Sequence, residues 1–88
     1  MFPLGKLVAT PGALKALQEN QIDPLSLVRR HLTGDWGDLD HHDQQANEDA
    51  LNDGARIFSA YKMNDELKIW VITESDRSST CILLPDEY

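Results

Sequence analysis

The chain changes its hydrophobic period once, at Gly54, and that change limits its possible folds more than any other feature. After Gly54 come the runs "ARIFSAYKM", "ELKIWVITE" and "STCILLP", rich in β-branched and aromatic residues, which read as strands. "MNDE" is a tight hairpin signal and "SDRSS" a looser turn, so the runs predict a three-stranded antiparallel meander. The middle run is apolar on both faces around Ile69, Trp70, Val71 and Ile72. It reads as a central strand, with Trp70 in the core.

Before Gly54 the punctuation is helical. Thr10 and Asp23 are natural N-caps, each followed by a proline (Pro11, Pro24) whose fixed φ suits the first helical position. Ala13, Leu14 and Leu17 form one apolar face, and Leu25, Val28 and Leu32 another. Gly34 is the expected stop of the second helix, with Arg29, Arg30 and His31 near the negative end of its dipole. A third helix is capped by Asp40, with Asp43 at N3, and runs through "HHDQQANEDALND" to Gly54. Its stripe of Ala46, Ala50 and Leu51 is thin, which predicts a surface helix. "FPLGKLVA" reads as a short edge strand with Pro3 at its start; whether it joins the sheet stays open.

The 88 residues suffice for one modest core and not for two. The expectation is a single α+β domain over 1–88. Its helical part covers about 10–53 and its β-meander about 55–85, with the helices packed on one face of the sheet.

Charge narrows the partner. Fifteen acids against eight bases give −7, unevenly spread. No Lys or Arg lies between His31 and Ala55, where Asp35, Asp38, Asp40, Asp43, Glu48, Asp49 and Asp53 fall. Such a field repels phosphate backbones and favours a basic protein surface. With a mean hydropathy of −0.43 and no apolar run near the roughly 20 residues that cross a bilayer, membrane residence is not expected. The opening "MFPLGKLVATPGAL" lacks a secretory apolar region, so the expected location is cytoplasmic. The single Cys81, in "TCILL", cannot form an intramolecular disulfide and reads as a buried small hydrophobe.

The stretch "GDWGDLDHHD" has the composition of a ligand cluster but not the spacing. Adjacent helical residues point about 100° apart, so His41 and His42 do not converge on one ion. Neither a zincin pair nor a calcium loop is present. No nucleophile elbow or phosphate-cradling glycine loop appears. No metal, cofactor or catalytic residue is therefore expected, and the stretch reads as a helix stop followed by a helix start. Trp36 either plugs the helix–sheet seam or anchors a partner; the plug is preferred, because a short domain needs its large side chains.

The two N-terminal helices, linked by "NQID", also allow a nucleic-acid-binding regulator that uses Arg29, Arg30, Arg56 and Arg77. Its basic residues lie at the end of the second helix, whereas recognition helices read bases with their N-terminal part.

Taken together, "FPLG-x-LVATPGAL-x-AL", "RH-x-x-GDWGD", "N-x-x-AL-x-x-G-x-R-x-x-SAY" and "W-x-ITE-x-DRSST-x-ILLP-x-EY" span nearly the whole chain. In them the chain resembles a group of short bacterial plasmid-related proteins carried by plasmids and other mobile elements. "HHDQQ" lies outside that pattern. The resemblance implies a bacterial cytoplasmic protein with a role in the biology of mobile DNA, and it carries no activity. The expected function is a small acidic, non-enzymatic interaction protein. It would block a host defence or nucleic-acid-handling protein by presenting carboxylates where DNA phosphates would lie. The expected partner-binding residues are Asp35, Trp36, Asp38, Asp40, Asp43, Glu48 and Asp49, and a homodimer is an allowed assembly.

Overall fold

A computed structural model describes residues 2–88. Three helices and a four-stranded mixed sheet form an α+β domain. The strands β1 (Lys6–Ala9), β2 (Ile57–Lys62), β3 (Lys68–Thr73) and β4 (Ser79–Leu83) lie in the order β1-β4-β3-β2. The three C-terminal strands form the expected antiparallel meander, and β1 joins it alongside β4, parallel, with Lys6 opposite Ser79 and Ala9 opposite Ile82.

The caps behave as their residue types dictate. The Thr10 hydroxyl accepts from the Ala13 amide at 3.2 Å and starts α1 (Pro11–Glu19). Asp23 accepts from the Leu25 amide at 3.0 Å and starts α2 (Pro24–Leu32). Asp40 accepts from the Asp43 amide at 2.9 Å and starts α3 (His41–Asp53), which ends at Gly54 in the left-handed region at φ 73°. Each side-chain cap contributes about 1 kcal/mol.

All three helices cover one face of the sheet. Ala13 and Leu17 of α1 and Leu27 and Val28 of α2 pack on Tyr61, Ile69, Val71 and Ile82. Ala50 of α3 joins Phe2, Trp36 and Ile57 in a second cluster. Several inside–outside expectations change as a result. Leu14, Leu25 and Leu51 are exposed, and Ala46 with them. Trp70 is not in the core: it stands half-buried on the helix-free face, beside Phe58. Cys81 is also only half-buried on that face, and burial still pushes its thiol pKa up. No helix among the described residues is long and apolar enough to cross a membrane.

His31 departs furthest from its expected place. It points into the core rather than along a basic helix end, and is fully buried. Its partners form one directed chain. Thr80 donates to the Leu4 carbonyl at 2.8 Å, which leaves Thr73 as the donor to Thr80 at 2.7 Å. Thr73 Oγ1 then accepts from His31 Nε2 at 2.9 Å, and Ser59 Oγ donates to Nδ1 at 2.5 Å. A neutral imidazole satisfies every group in this chain, and burial lowers the His31 pKa to about 4.

Candidate partner-binding surface

The acidic stretch lies along the outer edge of β2, where an unpaired strand would otherwise expose its backbone. Trp36 O accepts from the Ala60 amide at 3.1 Å, and the Asp38 amide donates to Ala60 O at 2.7 Å. One carboxylate oxygen of Asp38 accepts from the Lys62 amide at 2.7 Å. Gly37 lies between them at φ 78°, and a Cβ there would run into Ala60 O and the Tyr61 ring. Only glycine fits.

Asp35 is also engaged. Arg30 donates to it through Nε at 2.7 Å and Nη2 at 3.3 Å, and the Gly37 amide donates at 3.1 Å. The Arg30 guanidinium, followed by that amide, holds the Asp35 carboxyl below the usual carboxylate range. Arg30 stacks over Tyr61, 4.4 Å from the ring centroid, and the Tyr61 hydroxyl donates to Asp35 O at 2.7 Å.

The expected partner-binding residues therefore separate into two groups. Asp35, Trp36, Asp38 and Asp40 hold the fold: an ion pair, a core plug, an edge seal and a helix cap. Trp36, 5% exposed, is buried and is not a surface anchor. Asp43, Glu48 and Asp49 are exposed on α3, where Asp49 accepts from Gln45 at 3.1 Å. Among the described residues, no Lys or Arg forms an ion pair with these three. At about 100° per residue, Glu48 and Asp49 project to different flanks of the helix.

Glu48 and Leu51 border a hollow of about 440 Å³ whose other walls are Phe2, Leu32, Thr33, Gly34 and Trp36. Trp36 brings it one unusual property. Its indole Nε1 is buried and, among the described residues, is the single buried side-chain nitrogen or oxygen without a hydrogen-bond partner. Such orphans are uncommon, because leaving a buried donor unpaired costs about 1–3 kcal/mol. Neither the hollow nor the orphan donor was legible beforehand, since both depend on how α3 docks.

Asn47 is the other residue that sequence reasoning missed. It is buried on α3, where its Nδ2 donates to Phe58 O at 2.5 Å and its Oδ1 accepts from the Phe58 amide at 3.0 Å. Three of the four arginines assigned to the alternative reading have internal partners. Arg30 holds Asp35, Arg56 contacts Tyr88 and Glu74, and Arg77 donates to the carbonyls of Ala50, Ala55, Glu74 and Ser75. Arg29 is exposed. His41 and His42 are exposed at the start of α3, and among the described residues no three His, Cys, Asp or Glu side chains group to hold an ion.

No family model, curated protein or solved structure matches the chain.

Proposed function

We propose that the protein is a small acidic, non-enzymatic interaction module that engages a basic surface of a partner protein through α3 and the hollow beside it. The observation that carries the reading is the exposed set Asp43, Glu48 and Asp49 on α3, without a Lys or Arg partner among the described residues, with Glu48 at the border of a hollow that Trp36 also lines. A basic peptide segment supplies the cation that the Glu48 carboxylate lacks, and its side chains can enter the hollow beside Trp36. Asp43 and Asp49 add long-range attraction, which raises association rates more than it raises affinity. In the setting that the resemblance to plasmid-related proteins implies, the partner is a host defence or nucleic-acid-handling protein, whose phosphate-binding surface is basic.

The test is an NMR titration of the two tryptophan indole resonances with an arginine-rich peptide. The Trp36 indole signal should shift, and Glu48→Lys should abolish the shift while the spectrum stays that of a folded protein. A Trp36 signal that does not move with saturating peptide rejects the reading. In a pull-down from bacterial lysate, reversal of Asp43, Glu48 and Asp49 to Lys should remove partner capture.

A further inference from the structure

The helix-free face of the sheet carries an aromatic hollow that the acidic stretch does not explain. Along β2, Phe58, Ala60 and Lys62 alternate with the core-facing Ile57, Ser59 and Tyr61, and their partners Ile72, Trp70 and Lys68 share that outer face. Phe58 and Trp70 meet edge to face at 5.0 Å and 87°, and Trp70 and Tyr88 meet at 5.8 Å and 69°. With Arg56 and Ile72 they line a hollow of about 320 Å³. None of α1, α2 and α3 covers these rings; the single 3-10 turn Pro85–Glu87 packs beside β3 and leads into Tyr88, which is 68% exposed.

This face lacks the acidic excess of the rest of the chain: its bases and acids are about balanced. Four of the eight basic residues, Lys6, Arg56, Lys62 and Lys68, occupy its register positions or flank them. Glu74, paired with Arg56 at 3.4 Å, is the acid beside the aromatic rows; Asp65 and Glu66 border the Lys62 and Lys68 end, and Asp86 lies beside Lys68. Lys62 and Lys68 are directly opposed across the two strands, and opposed like charges destabilise a strand pair. A bound anion would relieve that repulsion. At about 3.4 Å per residue, Arg56 and Lys62 mark the ends of a stretch about 20 Å long, with the rings between them.

We infer that this face binds single-stranded nucleic acid, with bases packed against the exposed surfaces of Phe58, Trp70 and Tyr88 and phosphates held by Lys62 and Lys68. Aromatic rings on a sheet accept any base face, and flanking cations track the backbone. A duplex keeps its bases stacked on one another and offers the rings nothing. An acidic protein segment would meet the cations but offers the aromatic row few planar partners. The inference is independent of the proposed role of α3, whose carboxylates lie on the other side of the sheet.

The experiment is fluorescence anisotropy of labelled oligothymidylate and oligouridylate at low salt, with the matching duplex as a control. Binding is expected for the single strands and not for the duplex. It should weaken as salt rises, because phosphate contacts release counterions. Trp70→Ala and Phe58→Ala should each weaken it about tenfold, within the range found for loss of one stacking ring. Lys62→Glu with Lys68→Glu, at exposed positions, should weaken it and flatten the salt dependence without touching the core. Absence of binding by the wild-type protein overturns the inference, as does equal binding of the duplex. Unchanged affinity in the lysine variant also overturns it. Sedimentation showing a dimer that Trp70→Ala dissolves, with no oligonucleotide binding, would assign the face to a second copy of the chain instead.

Discussion

Asn47, a helical residue, completes a strand: its amide group pairs with both the N–H and the C=O of Phe58, as a neighbouring β-residue would. With Trp36 and Asp38 pairing Ala60 and Lys62, the outer edge of β2 is sealed from Phe58 to Lys62.

Asn47→Asp should therefore be more harmful than its size suggests. It replaces the donor with a second acceptor facing Phe58 O, and Asn47→Leu leaves both Phe58 groups unpaired. Each should cost about 2–3 kcal/mol, seen as a fall in the urea midpoint at unchanged m-value. A loss below about 0.5 kcal/mol for both would contradict the assigned pairing.

Gly37→Ala should be among the most damaging single substitutions. It places a methyl group against backbone at Ala60 O and forces alanine to φ 78°, so a loss of at least about 2 kcal/mol is expected. Asp38→Ala should cost about 1 kcal/mol, and Asp38→Asn, which keeps an acceptor for the Lys62 amide, should recover most of it. Thermal unfolding checks all three, at about 4–8 °C per kcal/mol for a domain of this size.

The buried His31 makes stability depend on pH. Its folded pKa, about 4, lies below the unfolded value near 6.5, so between these values the unfolded chain binds the extra proton. Stability is complete above about pH 6.5 and falls as pH drops toward 4, by about 3 kcal/mol in all. Urea midpoints across this window should show the slope in the wild type, and His31→Leu, though less stable, should lose it. A wild-type profile flat from pH 6.5 to 4 would refute the neutral buried imidazole.

Arg77 fastens the turn before β4 to the end of α3 through the Ala50 carbonyl. Arg77→Ala should leave the Ala50 carbonyl with the Gly54 amide as its one donor, remove the side-chain donor to the Ala55 carbonyl, and speed amide hydrogen exchange in the last turn of α3. Arg77→Lys should restore little, since one ammonium cannot reach carbonyls that a forked guanidinium spans.

Much of the architecture was legible because its signals are local. Thr10, Asp23 and Asp40 cap helices through amides two or three positions away, and the period change at Gly54 needs no knowledge of tertiary packing. What escaped is decided by distant docking. β3 is apolar on both sides, so nothing local says which side the helices cover, and Trp70 was assigned to the wrong one. Nothing local marks His31, at a basic helix end, or Asn47, on a thinly apolar helix, as buried; Ser59, Thr73 and Phe58, on other elements, supply their partners. In the acidic stretch, the cap role of Asp40 follows from its neighbours, whereas the Asp38 contact with the Lys62 amide depends on an edge strand.

The parallel pairing of β1 with β4 also orders events during synthesis. Lys6–Ala9 leaves the ribosome well before its ladder partner Ser79–Ile82 is made. The Thr80 hydroxyl reaches a Leu4 carbonyl 76 positions away, so the relay through His31 cannot close on a partial chain. A nascent chain stalled before β4 should hold its helices and the β2–β3 hairpin only loosely, protease-sensitive, until β4 emerges and gives β1 its place.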